Sequence, residues 1–271
     1  MAKWPEILAV ASKFQGKPIA FIGVSSGLPR KSVASYLRQN RITWPTIVDT
    51  DRSFEARCGL REISLNNIWQ VRIVTADGQM RPGNPSALET SAERAVVDAK
   101  WNIDPAEIPK ALQPTWASVE FGDYATAAPS LKRYLKSRKP EDKAAAETLN
   151  AYVMKQLDEQ LLLASTALAD ERSWDAYQAY NSVQIGFRGF EIPKEVSENI
   201  KTLRSDDAVK IELAALKRLR AARRAFASAK SPSARERSLK SFQRIIDDLP
   251  ETEAAAQAKL LLEGVSGTVT P

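Results

Sequence analysis

Beyond Ile108 the sequence offers no strand-like stretch, whereas before it strands and helices alternate. This change constrains the fold more than any other feature. A chain that starts in βα alternation and finishes in uninterrupted helix is expected to build an α/β layer followed by an all-α part. The boundary is placed at 103/104, giving an α/β domain over 1–103 and a helical, repeat-like domain over 104–271.

In the first part, Pro5 suits an opening helical turn, and Ile7, Leu8, Ala11 and Phe14 share one face up to Gly16. Ile19–Val24 is an apolar run of strand length, as a strand covered on both faces should be. Val33, Tyr36 and Leu37 then recur at helix spacing. Pro45 holds Trp44 extended ahead of a short strand, and a short helix ends at Gly59. Trp69, Val71 and Ile73 alternate with polar residues toward Asp77-Gly78, which predicts a hairpin. Ser86, with Glu89 three residues on, predicts the N-cap of a closing helix that runs to Trp101. Helical crossovers imply parallel pairing, with the hairpin as an antiparallel edge.

The stretches KPIAFIGVSS, SYLRQNRITWPTIVDTD, CGL and VRIVTADGQM occur in an order and spacing that resembles the TlpA-like thioredoxin-like reductases of the bacterial envelope, over residues 4–100. The resemblance implies a thioredoxin-like fold that is incomplete at its N-terminus. In that family the reactive CxxC pair precedes the helix that begins here at Trp4, and a cis-proline precedes the hairpin strand. Neither has a counterpart here, since no proline lies between Pro45 and Pro82. The family's central strand is also missing. The segments Phe21–Val24 and Trp69–Val74 are therefore expected to pair directly or to gain a strand from elsewhere, and an unpaired apolar edge invites association. Strand donation by a partner or a second copy is one reading, and a start site that omits the upstream segment is the other.

The chain has one cysteine, Cys58, and no histidine. An intramolecular disulfide or CxxC pair is impossible, a Cys/His zinc site lacks its ligands, and histidine-based nucleophilic catalysis lacks its base. Cys58 matches neither reactive position of the family and is read as a packed side chain, with a sensor thiol as the sharper alternative. Its expected basic neighbours are Arg57 and Arg61. No pair of carboxylates has a spacing that suggests acid/base roles, and no cofactor motif is present. The tryptophans, Trp44, Trp69 and Trp116 among them, read as core or domain-interface anchors.

Helical patterns fill the remainder. GDYATAAPSLKRYL and SLKSFQRIIDDLPETEAAAQAKLLL resemble tetratricopeptide helices, without a strict 34-residue period. Such surfaces generally bind proteins. Charge is unevenly spread: residues 210–244 carry 11 Lys/Arg against 2 Asp/Glu, whereas 117–209 carry 12 against 15. Lys217, Arg218, Arg220, Arg223 and Arg224 fall within eight residues, and helical spacing puts Arg220, Arg223 and Arg224 on one face. This segment, 217–244, is a candidate surface for nucleic acid or an anionic membrane. It has no interleaved aromatics or recognition motif, and the flanking DDLPETE can neutralise it, so a solvated helix face is the preferred reading.

The function expected from the sequence is a redox-inactive thioredoxin-like protein with a helical interaction domain, engaging a protein partner or itself. The alternatives are a thiol-disulfide oxidoreductase whose CxxC segment lies upstream, and an anionic-surface binder through 217–244. No apolar run reaches the ~20 residues that cross a bilayer. As written the chain is expected in the cytoplasm, or in the bacterial envelope or periplasm if a signal segment precedes Met1.

Overall fold

The computed structural model describes residues 4–50, 52–60, 63 and 68–266. Among them are twelve α-helices and two two-stranded sheets, a mostly helical chain. The residues group into two compact units: Met1–Lys100 with Ala214–Pro271, and Trp101–Leu213.

In the first unit, helix α1 (Trp4–Lys13) ends before Gly16, whose φ of +80° reverses the chain. Strand β1 (Gly23–Ser26) is joined through α2 (Arg30–Gln39) to β2 (Thr46–Asp49) and pairs with it in parallel, Val24 opposite Ile47. The expected strand at Ile19–Val24 thus starts later, at Gly23. The register explains this: the first ladder bond runs from the Gly23 N–H to the Pro45 carbonyl, 2.9 Å. Pro45 has no N–H to return to anything upstream. A helical turn, α3 (Ser53–Arg57), follows and ends near Gly59, at φ +64°.

Buried Asp49 organises α3. Its carboxylate accepts the N–H groups of Phe54 (3.0 Å) and Glu55 (2.8 Å), two donors that a helix start leaves without intrahelical partners. Buried Glu55 in turn accepts from the Ile63 N–H (2.6 Å) and the Arg52 guanidinium (3.2 Å). Asp49→Ala should lower stability by about 1–2 kcal/mol, as loss of a helix cap does, while Asp49→Asn should lose less because the amide oxygen still accepts. Urea unfolding of both variants checks this.

Strands β3 (Arg72–Val74) and β4 (Met80–Pro82) form the expected hairpin, with Gly78 at φ +77° in its turn. The two sheets stay separate: among the described residues no ladder joins β1 or β2 to β3 or β4. Among the described residues the expected direct pairing of Phe21–Val24 with Trp69–Val74 does not form. The closing helix also differs. Pro85 starts a 3₁₀ turn capped by Asn84, whose side-chain oxygen accepts the Ser86 N–H (2.9 Å). Helix α4 (Leu88–Ala95) follows with no side-chain cap and stops six residues short of Trp101. Ser86 is therefore not the N-cap, because Asn-Pro begins the turn two residues earlier.

The second unit stacks α5 (Gln113–Glu120), α6 (Tyr124–Tyr134), α7 (Pro140–Ala169), α8 (Ser173–Gly186) and α9 (Lys194–Leu203), joined by short turns. Helix α7 supplies the spine. Ala146, Leu149, Val153, Leu157 and Ala164 recur at three-, four- and seven-residue spacing, and each is at most 1% exposed. Trp116 is buried, and its indole N–H donates to the Ile103 carbonyl (2.9 Å), which satisfies its one polar atom. Gly189 has φ +101°, and a Cβ there would lie 2.9 Å from the Ala128 Cβ on α6. Glycine at this corner is what lets the chain approach α6.

Helices α10 (Asp207–Ala227), α11 (Pro232–Asp248) and α12 (Glu253–Ser266) complete the chain. They build their own core from Ala215, Leu219, Ala222, Phe242, Ile245 and Ala258. Ser231 caps α11 by accepting the Ala234 N–H (3.2 Å), with Pro232 at its first turn.

Candidate functional site

The five basic residues between Lys217 and Arg224 on α10 do not share one surface. Lys217, Arg218, Arg220 and Arg224 are exposed, but Arg223 is 6% exposed and donates through Nη2 to Gln257 Oε1 of α12 (2.9 Å). The expected Arg220–Arg223–Arg224 face is corrected accordingly. Arg223 lies four residues after Leu219 and three before Phe226, so it falls on the apolar stripe and turns toward α12. Arg218 is tied to Asp248 at 2.5 Å, a neutralisation that the DDLPETE flank foreshadows. Lys217, Arg220 and Arg224 remain as the exposed row.

An open groove of about 470 Å³ runs between the end of α10 and the start of α11, lined by Ala225, Ser228, Lys230, Ala234 and Arg237 among others, and none of that row lines it. Its serines are engaged by backbone: Ser228 donates to the Arg224 carbonyl (2.8 Å) and Ser238 to that of Ala234 (3.1 Å). Only Lys230 and Arg237 offer charge there.

Cys58 is half-buried after α3, and its carbonyl accepts from Arg72 Nε (3.4 Å). The thiol is in no disulfide. Arg61 and the Arg57 side chain lie outside the described residues. Among the described residues no group of His, Cys, Asp and Glu side chains has metal-site geometry, and no helix is long and apolar enough to cross a membrane.

Two groupings emerge that the sequence reading did not single out. In the α/β segment, Trp4 of α1 meets Tyr36 of α2 (centroids 6.2 Å apart), Trp44 before β2 (6.1 Å) and Trp69 before β3 (5.9 Å). The Trp4 indole N–H donates to the Tyr36 hydroxyl (2.5 Å), and Phe21 stacks on Trp44 (5.9 Å). Five separate segments thus converge on one aromatic cluster. Trp69 is 40% exposed, so it is no core anchor, in contrast to Trp116. Close by in sequence, both sheets leave large apolar side chains in solvent: Ile22 and Val24 on β1 and its approach, Val74 on β3 and Met80 on β4, each between 45% and 56% exposed. Val74 and Met80 are a registered pair, so one hairpin face is apolar and uncovered.

In the helical unit, Glu120 at the end of α5 and Glu159 on α7 both act electrostatically on the phenols of Tyr124, at the start of α6, and Tyr152 on α7. The Gly122 turn (φ +74°) brings Glu120 and Tyr124 together, and the seven-residue step from Tyr152 to Glu159 keeps both on one face of α7. Tyr124 stacks on Phe187 at 4.8 Å. Burial, then the neighbouring Tyr152, Glu120 and Glu159, pushes the Tyr124 phenol up to about 12 from an ordinary 10.0. Burial followed by Glu120 and Glu159 also raises Tyr152.

This has a pH signature. Between pH 10 and 12 the unfolded chain has lost the Tyr124 proton while the folded chain keeps it. The folded state then binds more protons, and stability falls as pH rises through that window. Tyr124→Phe should flatten the fall, as read by urea midpoints at pH 9, 10.5 and 11.5.

No family model matches the sequence, and neither the curated proteins nor the solved structures searched contain a match.

Proposed function

We propose that this protein is an interaction scaffold: a redox-inactive, thioredoxin-like α/β part that docks a polypeptide at its incomplete sheets, carried with a helical, repeat-like part. The observation that supports this most is the set of exposed apolar side chains on two minimal sheets and their approaches, Ile22, Val24, Trp69, Val74 and Met80. A two-stranded sheet is marginal alone, and three strands or a covered face are what give independent stability. Among the described residues neither sheet has a third strand, the arrangement that accepts an added strand. The single cysteine supports the absence of dithiol chemistry, since one thiol of this chain has no second with which to close a disulfide.

The test places a photo-crosslinking residue at Val24, at Trp69 and, as a control, at Glu147 on α7. The expected result is one defined adduct of fixed stoichiometry, formed with another polypeptide or a second copy, from Val24 and Trp69 only. Equal labelling from all three positions, or none, would reject the reading. In parallel, the chain should show no turnover in an insulin-reduction assay, and robust turnover would contradict the cysteine count.

A further inference from the structure

Positive charge gathers where α10 gives way to α11. Residues 210–244 hold 11 Lys/Arg against Glu212 and Glu236 alone. Part of that charge is used internally. Lys210 pairs with Asp207, Arg218 with Asp248 and Lys240 with Glu236, while Arg223 bonds to Gln257 and Arg235 lies over the Phe226 ring at 4.5 Å. Lys217, Arg220, Arg224, Lys230, Arg237 and Arg244 are exposed, and among the described residues no carboxylate pairs with any of these six. The acidic flank that follows α11 therefore leaves them uncompensated.

Two ridges of these cations border the α10–α11 groove. Lys217, Arg224 and Ser228 are seven and four residues apart, so they follow one side of α10. The Ser228 N–H bonds to the Arg224 carbonyl (3.0 Å), which carries the helical course on to Ser228, and Ser228 lines the groove. On α11, Arg237, Ser241 and Arg244 are four and three residues apart, and the first two of them line the same groove. Lys230 lines it from the connection between the helices. Among the described residues no carboxylate lines it, and Ala225, Ala229 and Ala234 keep its walls low.

The rest of this surface decides which anion it suits. Among the described residues no large apolar side chain between Ile211 and Leu260 is exposed. A helix that lies in a membrane interface inserts such side chains, and a protein interface is anchored by them. A plane of lipid headgroups would also leave a groove empty. The aromatic rings of this segment, Phe226 and Phe242, pack into the core, so no ring is offered on which an unpaired base could stack. What remains is a hydrophilic, concave strip flanked by cations, which suits a projecting strand of regularly spaced phosphates.

We infer that the α10–α11 face binds the sugar–phosphate backbone of a double-stranded nucleic acid without reading its sequence. Lys217 and Arg224 contact phosphates from one side of the groove, Arg237 and Arg244 from the other, and Lys230 from the connection. This surface is separate from the sheet edges and does not depend on the scaffold reading.

The test is fluorescence anisotropy of the full chain with short labelled duplexes, DNA and RNA of matched sequence, between about 50 and 200 mM salt. Contact with about four phosphates predicts that log K falls against log salt with a slope of about −4. Binding to either duplex supports the inference, and the arm that binds names the nucleic acid. Arg224→Gln, Arg237→Gln and Arg244→Gln should each weaken binding severalfold and reduce the slope by about 1, with an unchanged circular dichroism spectrum. Lys155→Gln on α7 should change neither. No binding at the lowest salt, or a slope that the three variants leave unchanged, would overturn the site. Tighter binding to anionic vesicles, to polyglutamate or to a single strand, or about tenfold preference for one duplex sequence over its scramble, would overturn the assignment to a duplex backbone.

Discussion

Leu149→Ala should lower the unfolding free energy by about 2–5 kcal/mol, the range for emptying a fully buried leucine site. Leu149 is 0% exposed in the N-terminal half of α7, on the same stripe as Ala146, Val153 and Leu157. The lost methyl groups leave a void that cannot collapse easily, because the flanking positions are equally buried and α7 is fixed by packing along its length. Leu162→Ala on the same helix is the internal control. That side chain is 67% exposed and should cost no more than about 0.5 kcal/mol. Urea unfolding followed by helical circular dichroism separates the two. Equal effects would mean that α7 is not the spine of its unit.

Phe242→Ala should destabilise by about 3–5 kcal/mol through a different core. Phe242 is 2% exposed on α11, with its ring 5.9 Å from that of Phe226 on α10. The aromatic edge contact is lost together with the burial. The clusters that hold Leu149 and Phe242 share no buried member, so the double variant should be additive to within about 0.5 kcal/mol. A coupling well above that would show that the two clusters behave as one core.

Much of this architecture was legible in the sequence. The loss of strand patterning beyond Ile108, parallel pairing across a helical crossover and the Asp77-Gly78 hairpin all follow from local periodicity and turn chemistry, although the first strand lies at Gly23–Ser26 rather than Ile19–Val24. Helix ends at Gly16 and Gly59 follow from glycine at positive φ. What failed was competition between neighbouring signals. Ser86 looked like a cap, yet Asn84-Pro85 starts a turn first. Arg223 looked like part of a basic surface because its charge outweighed its position on the Leu219–Phe226 stripe.

The groupings of greatest interest were invisible for another reason. Trp4, Tyr36, Trp44 and Trp69 are far apart in sequence and meet only when α1, α2 and the approaches to β2 and β3 are placed. Glu120, Tyr124, Tyr152 and Glu159 likewise come from three helices. Their only local signals were the seven-residue step along α7 and a glycine turn after α5.

Backbone hydrogen exchange at β1 tests the open sheet edge most directly. The N–H groups of Gly23 and Gly27 bond to the carbonyls of Pro45 (2.9 Å) and Asp49 (2.8 Å), whereas alternation along a strand turns those of Val24 and Ser26 the other way. An edge that awaits a strand predicts protected amides at Gly23 and Gly27 and fast exchange at Val24 and Ser26 in the isolated protein. Equal protection at all four positions would show that the edge is already filled and would contradict docking there.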